Sequence, residues 1–191
     1  MNTRQENFLK ELNIKNLKAV KKKIHDIKQE KWFNISFIID GIPKQTERPR
    51  VGFYKNLYVP NAAKNKKDIK KQIEKQIDLK NFEIIKGEVY VKVTFYMPIP
   101  KAFSKTDKFI AELGYIKSIV KPDIDNLLKT ILDGITHTGL WLDDDQVVRI
   151  VCEKRYSNEP RTEVKLKYKQ EISCSVLKTY NKNKLENSLK E

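Results

Sequence analysis

The sequence predicts an α/β (α+β) protein: a small mixed β-sheet packed by helices, with an extra helix at the N-terminus. Three observations carry this. Four stretches, NISFIID, VYVKVTFYMP, VVRIVCEKRY and TEVKLKYK, run as strands, with clear apolar and polar alternation in the first, second and fourth. Two amphipathic stretches, AAKNKKDIKKQIEKQI and IDNLLKTILDGI, lie between strands with helical spacing. The chain of 191 residues is long enough to bury a core, and no apolar run approaches the ~20 residues that span a bilayer.

In chain order, residues 1–31 read as a helical extension, with Leu17, Val20, Ile24 and Ile27 at three-to-four spacing and Lys21, Lys22 and Lys23 between them. A core follows over 32–170. Its first strand carries Ile35, Phe37 and Ile39 and ends at Asp40-Gly41. The next stretch, IPKQTERPRVGFYKNLYVP, reads as a hairpin in which Lys44, Arg48, Arg50 and Lys55 stand beside Phe53, Tyr54 and Tyr58. Basic residues interleaved with aromatics suit contact with nucleic acid, where cations meet phosphates and rings stack on bases. Inward packing of the rings is the competing reading.

Asn61 is placed to cap the following helix, which turns Ala62, Ile69, Ile73 and Ile77 to the core and Lys64, Lys67 and Lys71 to solvent. In the second strand Val89, Val91, Val93, Phe95 and Met97 share one face, and Tyr90, Lys92, Thr94 and Tyr96 the other. Ser104 caps a short helix closed by Gly114. The last two strands join through Ser157-Asn158-Glu159-Pro160, with Lys165, Lys167 and Lys169 facing away from Val164, Leu166 and Tyr168. A polar tail, 171–191, reads as weakly helical.

Composition narrows the function. With 39 Lys and Arg against 25 Asp and Glu, the net charge is +14, which favours phosphate backbones, anionic membranes or acidic proteins as partners. Cys152 and Cys174 lack CxxC spacing, and His25 and His137 are not at ligand spacing from them, so the thiols read as reduced and zinc-free. The N-terminal residues show no secretory apolar region, and the expectation is a cytoplasmic protein without membrane contact.

Against this basic background, Lys121–Gln146 holds six aspartates and two lysines, a net charge of −4 in a +14 chain. On a wheel of 100° per residue, Leu127, Leu128, Ile131, Leu132 and Ile135 share a side, Asn126 and Thr130 oppose them, and Asp125, Lys129 and Asp133 line the border. One carboxylate of Asp123 and Asp125 is explained as an N-cap; the second, with Asp143, Asp144 and Asp145 beyond the helix, points to a Mg²⁺ or Mn²⁺ site. Lys129, one turn on, would stabilise negative charge developing in a phosphodiester reaction. A polar turn opening the next strand is the alternative for Asp143–Asp145. Pro122-Asp123 with Glu163-Val164-Lys165 also spells a PD…ExK pattern, but the 40-residue gap and the strand alternation argue against it.

The window KPDIDNLLKTILDGI…GLWLDDDQVV resembles the RusA-type Holliday junction resolvases, and the likeness extends from about Asn34 to Gln170. It implies a homodimer that cuts four-way DNA junctions with paired symmetric nicks, using Mg²⁺. By motif position, the resemblance assigns metal binding to Asp123, Asp125 and Asp144, with Asp143 sharing the ligation, and catalysis to these and Lys129. Asp133, Trp141 and Gln146 match as supporting groups. Lys44, Arg48, Arg50, Lys64, Lys67 and Lys71 are the expected DNA contacts, with the lysine strand of Lys165, Lys167 and Lys169 a further candidate for the junction arms. Other branched DNA, or a non-catalytic DNA-binding role, are the competing functions.

Overall fold

A computed structural model describes residues 3–188 apart from 15, 46–49, 52–56, 59–61, 171 and 173. It divides into two compact units, Met1–Lys31 and Trp32–Glu191. The first holds two helices where the sequence suggested one, α1 (Thr3–Glu11) and α2 (Leu17–Gln29). Asn13 has φ +49°, a left-handed conformation that asparagine tolerates, and Asn16 restarts the helix by accepting the Ala19 N–H at 3.0 Å. Phe8, Leu17 and Ile24 are exposed.

The second unit is built on β1 (Phe33–Asp40), β4 (Val89–Pro98), β5 (Val147–Ser157) and β6 (Arg161–Tyr168), in the order β1-β6-β4-β5. The sheet is mixed: β6 is antiparallel to both β1 and β4, whereas β4 and β5 run parallel. A short turn joins β5 to β6, yet β4 lies between them. The predicted hairpin is present as β2 (Arg50–Val51) and β3 (Leu57–Tyr58), and Asn61 lies outside the described residues.

Alternation assigns the two faces of the sheet. Phe37, Val91, Val93, Phe95, Val164 and Leu166 are buried beneath α3 (Ala62–Glu74) and α5 (Ile124–Thr136), together with Ile69 and Ile73 of α3 and Leu127, Ile131 and Ile135 of α5. Between these helices in the chain, Ser104 caps α4 (Lys105–Glu112) as predicted. The buried sector of α5 is rotated from the predicted one. Thr130 and Gly134 are buried, whereas Leu128 and Leu132 are only half-buried. The cause is close packing of α3: a Cβ built on Gly134 would stand 2.7 Å from Ile69. Thr130 fits there because its hydroxyl donates to the Asn126 carbonyl at 2.9 Å.

The opposite face carries Tyr90, Lys92, Tyr96, Arg149, Glu153, Arg155, Arg161, Glu163, Lys165 and Lys167, as strand register requires. Lys169 extends this row, since its ammonium and that of Lys167 each stand 5.0 Å from the Trp32 ring, but it is buried beyond β6 and pairs with Glu88 at 2.9 Å. The two edges of the sheet also differ. The β1 edge is covered by α3: Gln72 accepts from the Asp40 N–H at 2.7 Å, and Gln76 bonds both backbone groups of Ile38 at 2.9 and 2.6 Å. At the other edge, β5 exposes Val148, Ile150 and Val151.

Candidate active site

The acidic window folds as α5, a loop, and a 3-10 turn (Asp144–Gln146) that leads directly into β5. The approach to α5 is fixed from the sheet. Lys154 donates to the carbonyls of Val120 and Pro122 at 2.6 and 2.8 Å. Asp123 occupies the N-cap position, but its side chain accepts no capping hydrogen bond. The capping role expected for one of the first two carboxylates is therefore unfilled, and both Asp123 and Asp125 present exposed side chains at the positive end of the helix. Lys129 is exposed one turn further on. Asp133, half-buried, faces Lys66 of α3 at 3.9 Å.

Behind the second acidic group, Trp141 is buried and donates its indole N–H to the Thr136 hydroxyl at 2.7 Å. Gln146 is also buried. It accepts from the N–H groups of Leu142 and Asp143 at 2.8 and 3.3 Å, and it donates to the carbonyls of Ile85 and Gly87, both at 3.0 Å. One amide thus satisfies backbone groups from two segments and fixes the turn.

The three consecutive aspartates do not share one environment. Asp143 caps the turn by accepting from the Asp144 N–H at 2.8 Å. Lys184 of α6 (Ser175–Ser188) reaches Asp143 and Asp145, each at 2.7 Å. That hydrogen bond lowers the Asp143 carboxyl below its ordinary range against a burial effect that raises it. Burial alone would depress the Lys184 ammonium, but the two carboxylates push it up to about 12. Asp144 moves the other way. Partial burial of its carboxyl, then Asp143, Asp133 and Asp145, raises its pKa. Asp144 is thus the carboxylate of the three that Lys184 does not grip, and it feels the acidic border of α5. Among the described residues, no three His, Cys, Asp or Glu side chains converge as a complete metal cage.

The expected DNA contacts divide. Lys44 and Lys71 line one groove with Lys75 and Asp68, beside Thr130 and Ile131 of α5. Lys64 and Lys67 are exposed on α3. Arg48 lies outside the described residues, and Arg50 sits in β2. The lysine strand belongs to a larger cationic surface on the open sheet face, where Lys92, Arg149, Lys165 and Lys167 surround a groove of about 450 Å³ with Tyr90 and Asn34. Its signal in the sequence was the Lys165 and Lys167 alternation; strand register adds Lys92 and Arg149 from β4 and β5. Glu163 and Lys165 of the PD…ExK pattern lie on this face, on the other side of the sheet from α5, and Glu163 pairs with Arg161 at 2.8 Å.

A basic open face and an acidic edge on one small mixed-sheet domain describe a protein that meets a polyanion. The family model described as Endodeoxyribonuclease RusA matches residues 40–167, and the chain belongs to this family of Holliday junction resolvases. It is also similar to the uncharacterized protein YqaN of Bacillus subtilis (strain 168), with 36% identity over 138 residues covering 70% of this chain and 95% of YqaN. The first unit and α6 lie outside the family match. No helix among the described residues is long and apolar enough to cross a membrane.

Proposed function

We propose that this chain is a Mg²⁺-dependent, structure-selective endodeoxyribonuclease that resolves Holliday junctions by paired symmetric nicks, with Mn²⁺ able to replace Mg²⁺. The observation that carries this reading is the two acidic groups flanking α5: Asp123 with no capping bond, beside Asp125, and Asp144, which meets the Asp143 carboxyl but not Lys184. All three offer hard carboxylate oxygens, the donor chemistry that magnesium takes. Mg²⁺ keeps several waters and takes substrate phosphates, so it does not require a closed cage of protein ligands. Asp123, Asp125 and Asp144 would hold the ion, and Asp143, engaged by Lys184, would support them. The ion, when bound, would supply Lewis-acid activation of water and stabilise the leaving oxygen. Lys129 would offset charge developing on the phosphate.

The working form is a homodimer, whose two-fold symmetry suits two equivalent junction strands. Exposed apolar surface supports this. Phe109, Leu113, Tyr115, Ile119 and Val120 lead into the acidic window, with Ile119 at 90% exposure, and Val148 and Ile150 are exposed on the first half of β5. Junction arms would be held by Lys44, Arg48, Arg50, Lys64, Lys67 and Lys71 and by the open sheet face.

The test is a cleavage assay with Mg²⁺ on a synthetic four-way junction, a fork and a linear duplex, using the unmutated chain and the Asp123→Asn and Asp125→Asn variants. The unmutated chain should nick the junction symmetrically, and both variants should bind it without nicking. Preference for the fork moves the substrate to other branched DNA. Tight binding with no cleavage of any branched DNA in either metal leaves a DNA-binding accessory protein.

A further inference from the structure

The helix α6 lies beyond residue 167, where the family match ends, and its sequence is polar and carries no motif. Its Lys184 nevertheless makes the closest ionic contacts of the acidic turn. The ammonium stands 2.7 Å from Asp143 Oδ2 and 2.7 Å from Asp145 Oδ2, with the lysine side chain 26% exposed. Three residues earlier, on the same side of the helix, Asn181 donates to the Lys86 carbonyl at 2.8 Å. The neighbouring carbonyls of Ile85 and Gly87 are those that hold Gln146. Gln170, where the chain leaves β6, accepts from the Lys86 N–H at 3.2 Å. The acidic turn and α6 are therefore fastened to the same stretch of backbone.

Three adjacent carboxylates repel one another, and the cap that engages Asp143 does not by itself distinguish Asp144 from Asp145. A cation between the first and third changes that. It draws Asp143 and Asp145 to one point and leaves the middle side chain, which meets the Asp143 carboxyl, as the one that Lys184 does not touch. Holding a lysine still costs side-chain entropy, which two charge-assisted bonds can offset.

We infer that Lys184 is a positioning residue for the nuclease: by tying Asp143 to Asp145 it holds the acidic turn so that Asp144 is offered to the metal. The inference rests on the metal-dependent reading above. It differs from a plug, in which Lys184 would occupy the ion's place and its removal would speed the reaction.

The test uses the full chain with Lys184→Ala and Lys184→Arg. Mn²⁺ binding is followed by electron paramagnetic resonance of the free ion without DNA. Single-turnover junction cleavage is followed against Mg²⁺ concentration, and junction binding is measured in Ca²⁺. K184A should weaken Mn²⁺ binding and raise the Mg²⁺ needed for half-maximal rate, each by about tenfold, the scale of losing a partner that orients a metal ligand. Junction affinity in Ca²⁺ should stay within about twofold, because no DNA-contacting charge is removed from the basic faces. K184R should recover most of both losses. Unchanged Mn²⁺ binding in K184A, faster cleavage, or K184R as impaired as K184A each overturns the inference. If the unmutated chain cuts nothing while its Mn²⁺ binding still depends on Lys184, the nuclease reading fails and the positioning role stands.

Discussion

The open face of the sheet and the acidic edge of α5 are both charged, but they obtain their order from different distances in the chain. On the sheet, charges are arranged by strand register and paired with near neighbours: Arg161 with Glu163 at 2.8 Å and Arg155 with Glu153 at 3.1 Å. Those pairs neutralise one end of the face and leave Lys92, Arg149, Lys165 and Lys167 at the other. At the acidic edge the partners are remote. Asp143 and Asp145 meet Lys184, Asp133 meets Lys66, and Gln146 reaches Ile85 and Gly87. A surface specified locally tolerates the loss of one charge, whereas a turn held by distant groups depends on each of them.

The sharpest way to test that contrast lies within the aspartate run. Asp144→Asn should lower junction cleavage by about a thousandfold, the scale of losing a group that stabilises transition-state charge, while Asp145→Asn, which only loosens the Lys184 tie, should cost no more than about tenfold. Equal losses would erase the distinction between the gripped and ungripped carboxylates.

Cys152 probes the covered side of β5. Burial, then Glu153, pushes its thiol up from 9.0 to about 11. The reactive thiolate at pH 8 should therefore be about a hundredfold scarcer than for an unperturbed thiol, and alkylation followed by mass spectrometry should be slowed at least that much. Because the folded value is the higher one, labelling should accelerate about tenfold per pH unit up to that value. Rapid labelling at pH 8 would mean that β5 is not packed as described.

Next in size is Gln146→Ala, which strands buried backbone groups of both segments and should cost about 2–3 kcal/mol in a denaturant melt. A loss no larger than that of an exposed substitution would show that the turn is not held from a distance. Smallest is the paired change Lys165→Glu with Lys167→Glu on the open face. Junction binding should weaken by about tenfold, and the slope of log affinity against log salt should fall by about two, with the Mg²⁺ requirement unchanged. An unaltered salt slope would remove the sheet face from the DNA surface.

The layers were legible because alternation is a local property: Val89 through Met97 predicts a buried row, and the row is buried. The strand order was not. Neighbouring β5 and β6 look like a hairpin in sequence, and only tertiary packing inserts β4 between them. The wheel for α5 placed Asp125, Lys129 and Asp133 at the border but misjudged Thr130 and Gly134, since it knows nothing of Ile69 on α3. Likewise, Asp123 looked like a cap by type, and only the geometry shows the cap unmade. Lys184 and Lys154 were indistinguishable among many lysines, because what selects them is the carboxylate or carbonyl that each meets across the fold.

The stretch from Glu83 to Gly87 has a consequence for how such chains can diverge. Its backbone groups are bonded by Leu140, Gln146, Lys169, Gln170 and Asn181, so five distant positions depend on where its amides and carbonyls fall. Apart from buried Ile85, few of its side chains matter to that arrangement. Substitutions should drift freely there, whereas a single inserted or deleted residue would put every one of those partners out of step. The segment is specified by its length more than by its letters.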